Sequence, residues 1–325
     1  MSEQLSTRVE YGKTLAELGE QNQDIVALDA DLSGSTNTQR FAQAFKDRFF
    51  NMGIAEQDLM GTAAGLAVSG KIPFASTFAI FATGRGWEQI RQTIAYGGLN
   101  VKIVASHGGV TVGEDGGSHQ AIEDLALMRV IPNMVVLVPA DGIEVRRMVE
   151  WAVTYQGPVY IRTSRIPFPV IYDETYRFEL GTGSILRDGD DLCLAGLGLM
   201  VHHCLEAAEL LAAEGISARV LNLSSLKPLD WELVVASAQK TGALVTAEEH
   251  LVTGGLASAV CEVLAEHYPV PVERIGIRDV FGISGKPKDL LEHYGLMSID
   301  IRNAAYKVLK SKARSKSLEL RQVIK

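Results

Sequence analysis

Between positions 106 and 120 the chain reads SHGGVTVGEDGGSHQ, which places His107, Glu114, Asp115 and His119 within 13 positions of a polar, glycine-rich run. Such a run is a poor core segment. Two histidines and two acids on such a loop make the strongest composition-based site signal in the chain, the alternative being a plain hydrated loop. A second candidate is Glu56, set in FFNMGIAEQDLMGTAAGLAVSGKIPFASTFAIF between a strand-like run and an apolar helix that carries Gly61, Ala63, Ala64, Gly65 and Ala67. A bare carboxylate is costly there and needs a hydrogen-bonding partner or a proton. The competing reading is a first-turn acid that favours the helix macrodipole by about 0.3–1 kcal/mol. Arg162 and Arg165 follow a strand-like run, and a guanidinium's rigid fork of donors could clamp a phosphate there as readily as lie on the surface. Asp29, Asp31, Ser33 and Ser35 also follow such a run, where ligands of parallel sheets collect, although Asp and Ser equally make ordinary turns.

The elements that must position these residues alternate. Helical periodicity covers 11–20 and 39–45, the Glu56 helix follows, and a long helix is expected over 77–96. Further helices are expected near 121–129 and 142–155. Strands are expected at 25–28, 49–52, 72–76, 101–106, 134–140 and 158–165. This alternation predicts an α/β fold with a doubly wound, mostly parallel sheet over residues 1–165. Phe78 and Phe81 would share a helix face, where core packing is the default. The small residues of the Glu56 helix offer a packing face between subunits. Residues 166–183 carry prolines and clustered aromatics without a period, as an interdomain connection does. A smaller α/β domain is expected over 184–310, with strands near 192–195, 218–223, 244–246 and 272–277, followed by a basic, solvated tail over 311–325.

Acidic residues outnumber basic ones by 39 to 31, giving a net charge of -8, which argues against a nucleic-acid or anionic-membrane surface. Any anionic substrate must then be held by a few placed cations. The start lacks a secretory pattern and no apolar run approaches the ~20 residues of a membrane span, so a cytoplasmic protein is expected. Cys193, Cys204 and Cys261 are far apart and read as reduced core thiols, while His202, His203 and His250 lack metal-ligand spacing. No metal ligands are expected on this chain. The GLGLMV run at 196–201 has two of the three glycines of a dinucleotide fingerprint, and no GxSxG elbow occurs.

GIAEQ at 53–57, STFAIF at 76–81 and SHGGVTVGEDGGSHQ at 106–120 together resemble the thiamine-diphosphate enzymes of the transketolase group. The resemblance spans nearly the whole chain, as a pyrimidine-binding domain followed by a C-terminal domain. It implies that Glu56 hydrogen-bonds the aminopyrimidine ring of thiamine diphosphate and promotes loss of the thiazolium C2 proton, so that the resulting ylid can attack a ketose. Phe78 and Phe81 match the aromatics that pack on that ring, and a third family aromatic would fall at Gly84. His107, Asp115 and His119 match the residues that contact sugar hydroxyls and aid proton transfer. Ser35 and Arg165 fall where the acceptor phosphate is held, and Asp31 matches an aspartate near the cofactor and the dimer contact.

Full-length members carry a GDG motif and a later asparagine for the diphosphate and metal, and no GDG occurs here. The resemblance therefore implies a C-terminal subunit that is completed by a separate N-terminal subunit, as a heterotetramer with two copies of each chain. That partner would hold the divalent metal, magnesium or calcium. The competing readings are half of a deoxyxylulose-phosphate synthase, a specialised sugar-phosphate ketol transferase, a 2-oxo-acid dehydrogenase beta subunit, or a non-catalytic assembly subunit. The His107, Asp115 and His119 set favours sugar handling over oxo-acid decarboxylation.

Overall fold

The computed structural model describes residues 3–323, with side chains as far as Arg314. Its larger sheet has seven strands in the spatial order Ser225–Lys227, Val135–Leu137, Val159–Arg162, Lys102–Ser106, Ile72–Phe78, Ile25–Asp29 and Phe49–Asn51. All neighbours are parallel except the first pair. Strands covered on both faces are apolar in their middles, and Ile25–Asp29 and Lys102–Ser106 are buried along their whole length, with polar residues only at the ends, Asp29, Lys102 and Ser106. Alternate residues point to opposite sides. Ile25, Ala27, Phe74 and Val104 pack with Tyr11, Leu15 and Met148 of the helices Thr7–Gln21 and Gly142–Thr154. Val26, Leu28, Ala75 and Ile103 pack with Leu59 and Met60 of the helix Glu56–Val68. The small residues of that last helix do not share one open face: Ala63 and Ala64 are buried in the chain's own core, while Gly61 and Gly65 are exposed, with nothing within 4 Å of a Cβ built at either.

One expected element is divided differently. The helix expected over 77–96 begins later, because the strand Ile72–Phe78 continues through Phe78 and pairs Phe78 with Ser106. Phe78 thus stands at a strand end rather than on a helix face with Phe81. The helix Ala79–Arg85 then bends at Gly86 before Trp87–Gln89 and a π-helical stretch, Ile90–Ala95. A Cβ at Gly86 would lie 2.9 Å from the Ala82 carbonyl oxygen, 3.1 Å from Met60 Cγ and 3.5 Å from the Glu56 carbonyl oxygen. Glycine at that position lets the bend close onto the start of the Glu56 helix.

The second sheet has five strands in the order Val272–Ile277, Leu244–Leu251, Leu192–Gly196, Ala218–Asn222 and Ser184–Arg187, the last antiparallel. The edge strand Ser184–Arg187 was not expected, nor was Ser225–Lys227, which leaves this half of the chain to pair with Val135–Leu137. A buried polar joint reinforces that crossing. The Glu144 carboxylate accepts from Asn222 Nδ2 at 3.0 Å, Ser224 Oγ at 2.7 Å, the Tyr176 hydroxyl at 2.8 Å and the Ala140 amide at 2.6 Å. The tail expected from 311 onward is the continuation of the helix Ser298–Val323, and Lys312 Nζ donates to the Asp191 carbonyl at 2.7 Å. The remainder of that expectation, on the side chains from 315 and the last two residues, lies outside the described residues. Among the described residues no helix is long and apolar enough to cross a membrane.

The helix Thr7–Gln21 meets the loop after Ile25–Asp29 at Gly12, where a Cβ would lie 2.5 Å from the Asn37 carbonyl oxygen and 2.7 Å from Asn37 Cβ. Asn37 is already left-handed, at φ 65°, so that turn has little freedom to retreat. Gly12→Ala is expected to destabilise the protein by about 1–3 kcal/mol, as overpacking does. Urea unfolding measures it, and an unchanged midpoint would show that the turn yields.

Candidate active site

Four neighbouring strands of the larger sheet end on one edge, and each delivers a candidate residue at its carboxyl end. Ile25–Asp29 leads to Asp31 and Ser35, Ile72–Phe78 to the aromatic pair, Lys102–Ser106 to His107, and Val159–Arg162 to Arg165. This is the crevice where open parallel sheets bind ligands.

His107 is buried and left-handed at φ 62°, a conformation that costs a non-glycine residue about 1–2 kcal/mol and that collects at functional sites. Its ring stacks on Phe78 with centroids 3.8 Å apart, and Nδ1 lies 2.9 Å from Ser106 Oγ. Phe78 stacks in turn on Phe81 at 5.8 Å, while His119, half-buried, meets Phe81 edge-on at 5.3 Å. Burial, with the charges of Arg8 and Arg165 and the proximity of His119, pushes the His107 imidazole down to about 3. It is therefore neutral at ordinary pH and can donate from one ring nitrogen while accepting at the other.

Arg8, which carried no signal of its own in the sequence, joins this group. Its Nη1 donates to the Ser35 carbonyl at 2.7 Å and its Nε to the Arg165 carbonyl at 3.2 Å. Burial and the Arg165 charge both lower its pKa, as expected of two guanidiniums held close together where an anion could sit. Arg165 donates to the Val112 carbonyl and lies 3.4 Å from Asp115 Oδ2, so the structure pairs the expected phosphate ligand with the expected sugar ligand. Ser35 is half-buried. Asp31 is exposed, and its contacts run to Asn51 at 3.0 and 3.1 Å, in the turn that leads to Glu56, rather than to the aromatic pair. Asp29 is consumed locally, by Leu32 N at 2.5 Å, Thr36 Oγ1 at 2.7 Å and Thr38 Oγ1 at 2.9 Å.

Glu56 opens its helix and is only 4% exposed. The partner that a buried carboxylate needs is Arg85, whose Nη1 lies 2.8 Å from Oε1. Among the described residues nothing hydrogen-bonds Oε2. The other arginine considered from the sequence, Arg162, is a buried brace and not an anion ligand. Its Nη2 donates to the Ala121 carbonyl at 3.1 Å and the Glu249 carbonyl at 2.9 Å. Among the described residues no group of three potential ligands could hold a metal ion.

Two family models match the chain, the transketolase pyrimidine binding domain over residues 3–169 and the transketolase C-terminal domain over residues 181–301. The chain belongs to the transketolase family. Some of its relatives there are described as sections or subunits, and others are about twice as long, human transketolase being 38% identical over 91% of this chain and 48% of its own length. A protein described as a transketolase C-terminal section, from Methanocaldococcus jannaschii, is 50% identical over 88% of this chain and 90% of its own length. A 6-deoxy-6-sulfo-D-fructose transketolase subunit from Clostridium sp. strain MSTE9 is 45% identical over 93% of this chain and 94% of its own. A solved structure described as a split gene transketolase, inactive beta4 tetramer, is 57% identical, with a TM-score of 0.89 over 95% of this chain and 99% of that one.

Transketolase domains of this kind imply dependence on thiamine diphosphate, and the residues present fit its aminopyrimidine end. A buried carboxylate keeps one oxygen without a partner, two near-parallel aromatic rings stand close by, and nothing lies within 4 Å of a Cβ built at Gly84.

A neutral His107 has a measurable consequence. Between pH 6.5 and about 3 the unfolded chain binds a proton at this residue that the folded chain does not, so its contribution to stability falls with acidity, by on the order of 1 kcal/mol per pH unit. Imidazole 15N shifts of the isolated chain should show His107 still neutral at pH 5, and His107→Gln should flatten the acid limb of the stability profile. Titration of His107 near 6.5 would overturn this.

Proposed function

We propose that this chain is the catalytic C-terminal half of a transketolase that moves a two-carbon ketol unit between ketose and aldose phosphates, its site being completed by a separate N-terminal subunit. The observation that carries the reading is the convergence of Glu56, the Phe78 and Phe81 pair, His107, His119 and the Arg8 and Arg165 pair on one sheet edge. In this reading residues 1–165 are the pyrimidine-binding domain, 166–183 the connection, 184–310 the C-terminal domain and 311–325 a basic tail. The N-terminal subunit holds the diphosphate and its magnesium or calcium ion. A similar split-enzyme chain is found as a beta4 tetramer, which supports self-association of this chain, and the proposed complex holds two copies of each chain.

When bound, thiamine diphosphate supplies the electron sink that stabilises a carbanion equivalent, chemistry that side chains do not provide. Glu56 Oε2 would hold a proton shared with a ring nitrogen of the aminopyrimidine, and Phe78 and Phe81 would pack on the ring. His107 and His119 hold the sugar hydroxyls and exchange protons with them, which a neutral imidazole does in either direction. Asp115 accepts from a further hydroxyl. Arg8 and Arg165 take the terminal anion of the acceptor, Ser35 lying beside Arg8. An anion there competes with Asp115 for Arg165, so acceptor binding would free the Asp115 carboxylate.

A second reading keeps the reaction and changes the sugar. A guanidinium pair recognises a sulfonate through the same tetrahedral array of oxygens, and a relative named for a sulfo-sugar substrate favours testing one.

The reconstituted two-chain complex should transfer ketol groups from xylulose 5-phosphate to ribose 5-phosphate and leave pyruvate untouched, with 6-deoxy-6-sulfofructose assayed beside them. Glu56→Ala should lower kcat by about 100-fold or more while the complex still sediments as wild type, and unchanged turnover would remove Glu56 from the mechanism. Arg8→Gln should raise KM for phosphorylated acceptors by about tenfold or more, through loss of a charge-assisted contact, and leave KM for an uncharged aldehyde acceptor alone. Equal effects on both acceptors would refute an anion site at Arg8.

A further inference from the structure

We infer that Arg85 is a positioning residue that takes the place of the missing third ring in the cofactor's wall and holds Glu56 with one carboxylate oxygen available. This inference rests on the proposed role of Glu56. Arg85 stands four residues after Phe81, one helical turn, so its stem runs along the same face as the ring. Its Cζ lies 4.2 Å from the Phe81 centroid, and its Nη1 lies 2.8 Å from Glu56 Oε1. His107, Phe78, Phe81 and the Arg85 guanidinium therefore follow one another, and the last is ion-paired with the carboxylate.

Two glycines make this arrangement possible. Gly84 leaves open the space where a third ring would stand, and Gly86 lets the helix bend close against the first turn of the Glu56 helix. A guanidinium can serve as a wall because it is planar and weakly hydrated and stacks on aromatic faces, whereas an ammonium is a point charge. An ordinary surface ion pair has two exposed partners and contributes little. Here the acid is 4% exposed and the side chain of the base 52%, so Arg85 links a buried carboxylate to the open side of the crevice.

The test uses the reconstituted complex with wild type, Arg85→Met, Arg85→Lys and the double variant Gly84→Tyr/Arg85→Met. Thiamine diphosphate affinity is measured by calorimetry, assembly by sedimentation, and KM for the sugar phosphates at saturating cofactor. Arg85→Met is expected to weaken cofactor binding by about tenfold or more, with assembly and sugar KM unchanged. Arg85→Lys should recover part of the loss, restoring charge without the plane, and the double variant part of it, restoring a plane without the charge. Cofactor binding by Arg85→Met as tight as wild type, or tighter, would overturn the inference while leaving the proposed function standing. Absence of cofactor binding by the wild-type complex would remove both.

Discussion

The histidine loop keeps its shape because two buried charged side chains, one from each sheet, are wedged against it. Arg162 reaches from the larger sheet to the Ala121 and Glu249 carbonyls, and the Glu249 carboxylate crosses back to the Thr111 amide at 2.6 Å. The loop admits them only where it has no side chains. A Cβ on Gly108 would stand 1.9 Å from Arg162 Nε, and one on Gly109 would stand 2.2 Å from Glu249 Oε1. Arg162 is itself held by the buried Asp124, with Nε 3.4 Å from Oδ2, and removing one member of such a pair strands the other charge, typically at about 3–5 kcal/mol. The loop after the strand Val272–Ile277 adds a further contact, where Gln120 Nε2 donates to the Ile283 carbonyl at 2.9 Å. The C-terminal half of the chain is thus part of what aims His107 and His119.

With that loop fixed, the electrostatics of the crevice run against those of the whole molecule. The chain carries a net charge of -8, yet Arg8, Arg85 and Arg165 all lie in this crevice, and His107 stays neutral through burial first and the charges of Arg8 and Arg165 second. Local placement outweighs the total because a charge at a few ångströms, partly out of water, acts far more strongly than many screened ones at a distance. A neutral imidazole beside two guanidiniums adds no further repulsion within the cluster. The arrangement favours an anion in the crevice without an overall basic surface.

Much of this was legible in the amino-acid order, for reasons that differ from residue to residue. The larger sheet was readable because parallel strands covered on both faces are apolar runs between amphipathic helices. Asp115 and the two histidines were readable because their motif is contiguous. Phe78 was expected on a helix because periodicity does not show where a strand hands over to a helix, and pairing with Ser106 decides that. Arg85 left a trace, an arginine one turn after Phe81, but its partner Glu56 is 29 positions away. Arg8 left none, since its role depends on Arg165, which is 157 positions distant. Arg162 and Arg165, three apart at one strand end, looked equivalent, and only Glu249, brought in by the other sheet, distinguishes brace from ligand. Ser225–Lys227 was missed because a short strand that joins the other half's sheet has no local period to announce it.

The contacts that shape this half-site all lie within one chain, and that has a consequence for assembly. The left-handed backbone at His107, the stacked rings, the Arg162 and Glu249 wedge and the Glu56 and Arg85 pair form on folding. The entropy of ordering them is then met by the folding of the chain and not by later association, which would otherwise be weakened by that amount. What remains open among these residues, the second oxygen of Glu56, the outer face of Arg85 and the half-buried ring of His119, faces ligands rather than the protein's own core. On the proposed reading, a partner that supplies the other half of such a site need only bring its own groups into place, and dividing the enzyme into two chains would cost little catalytic geometry.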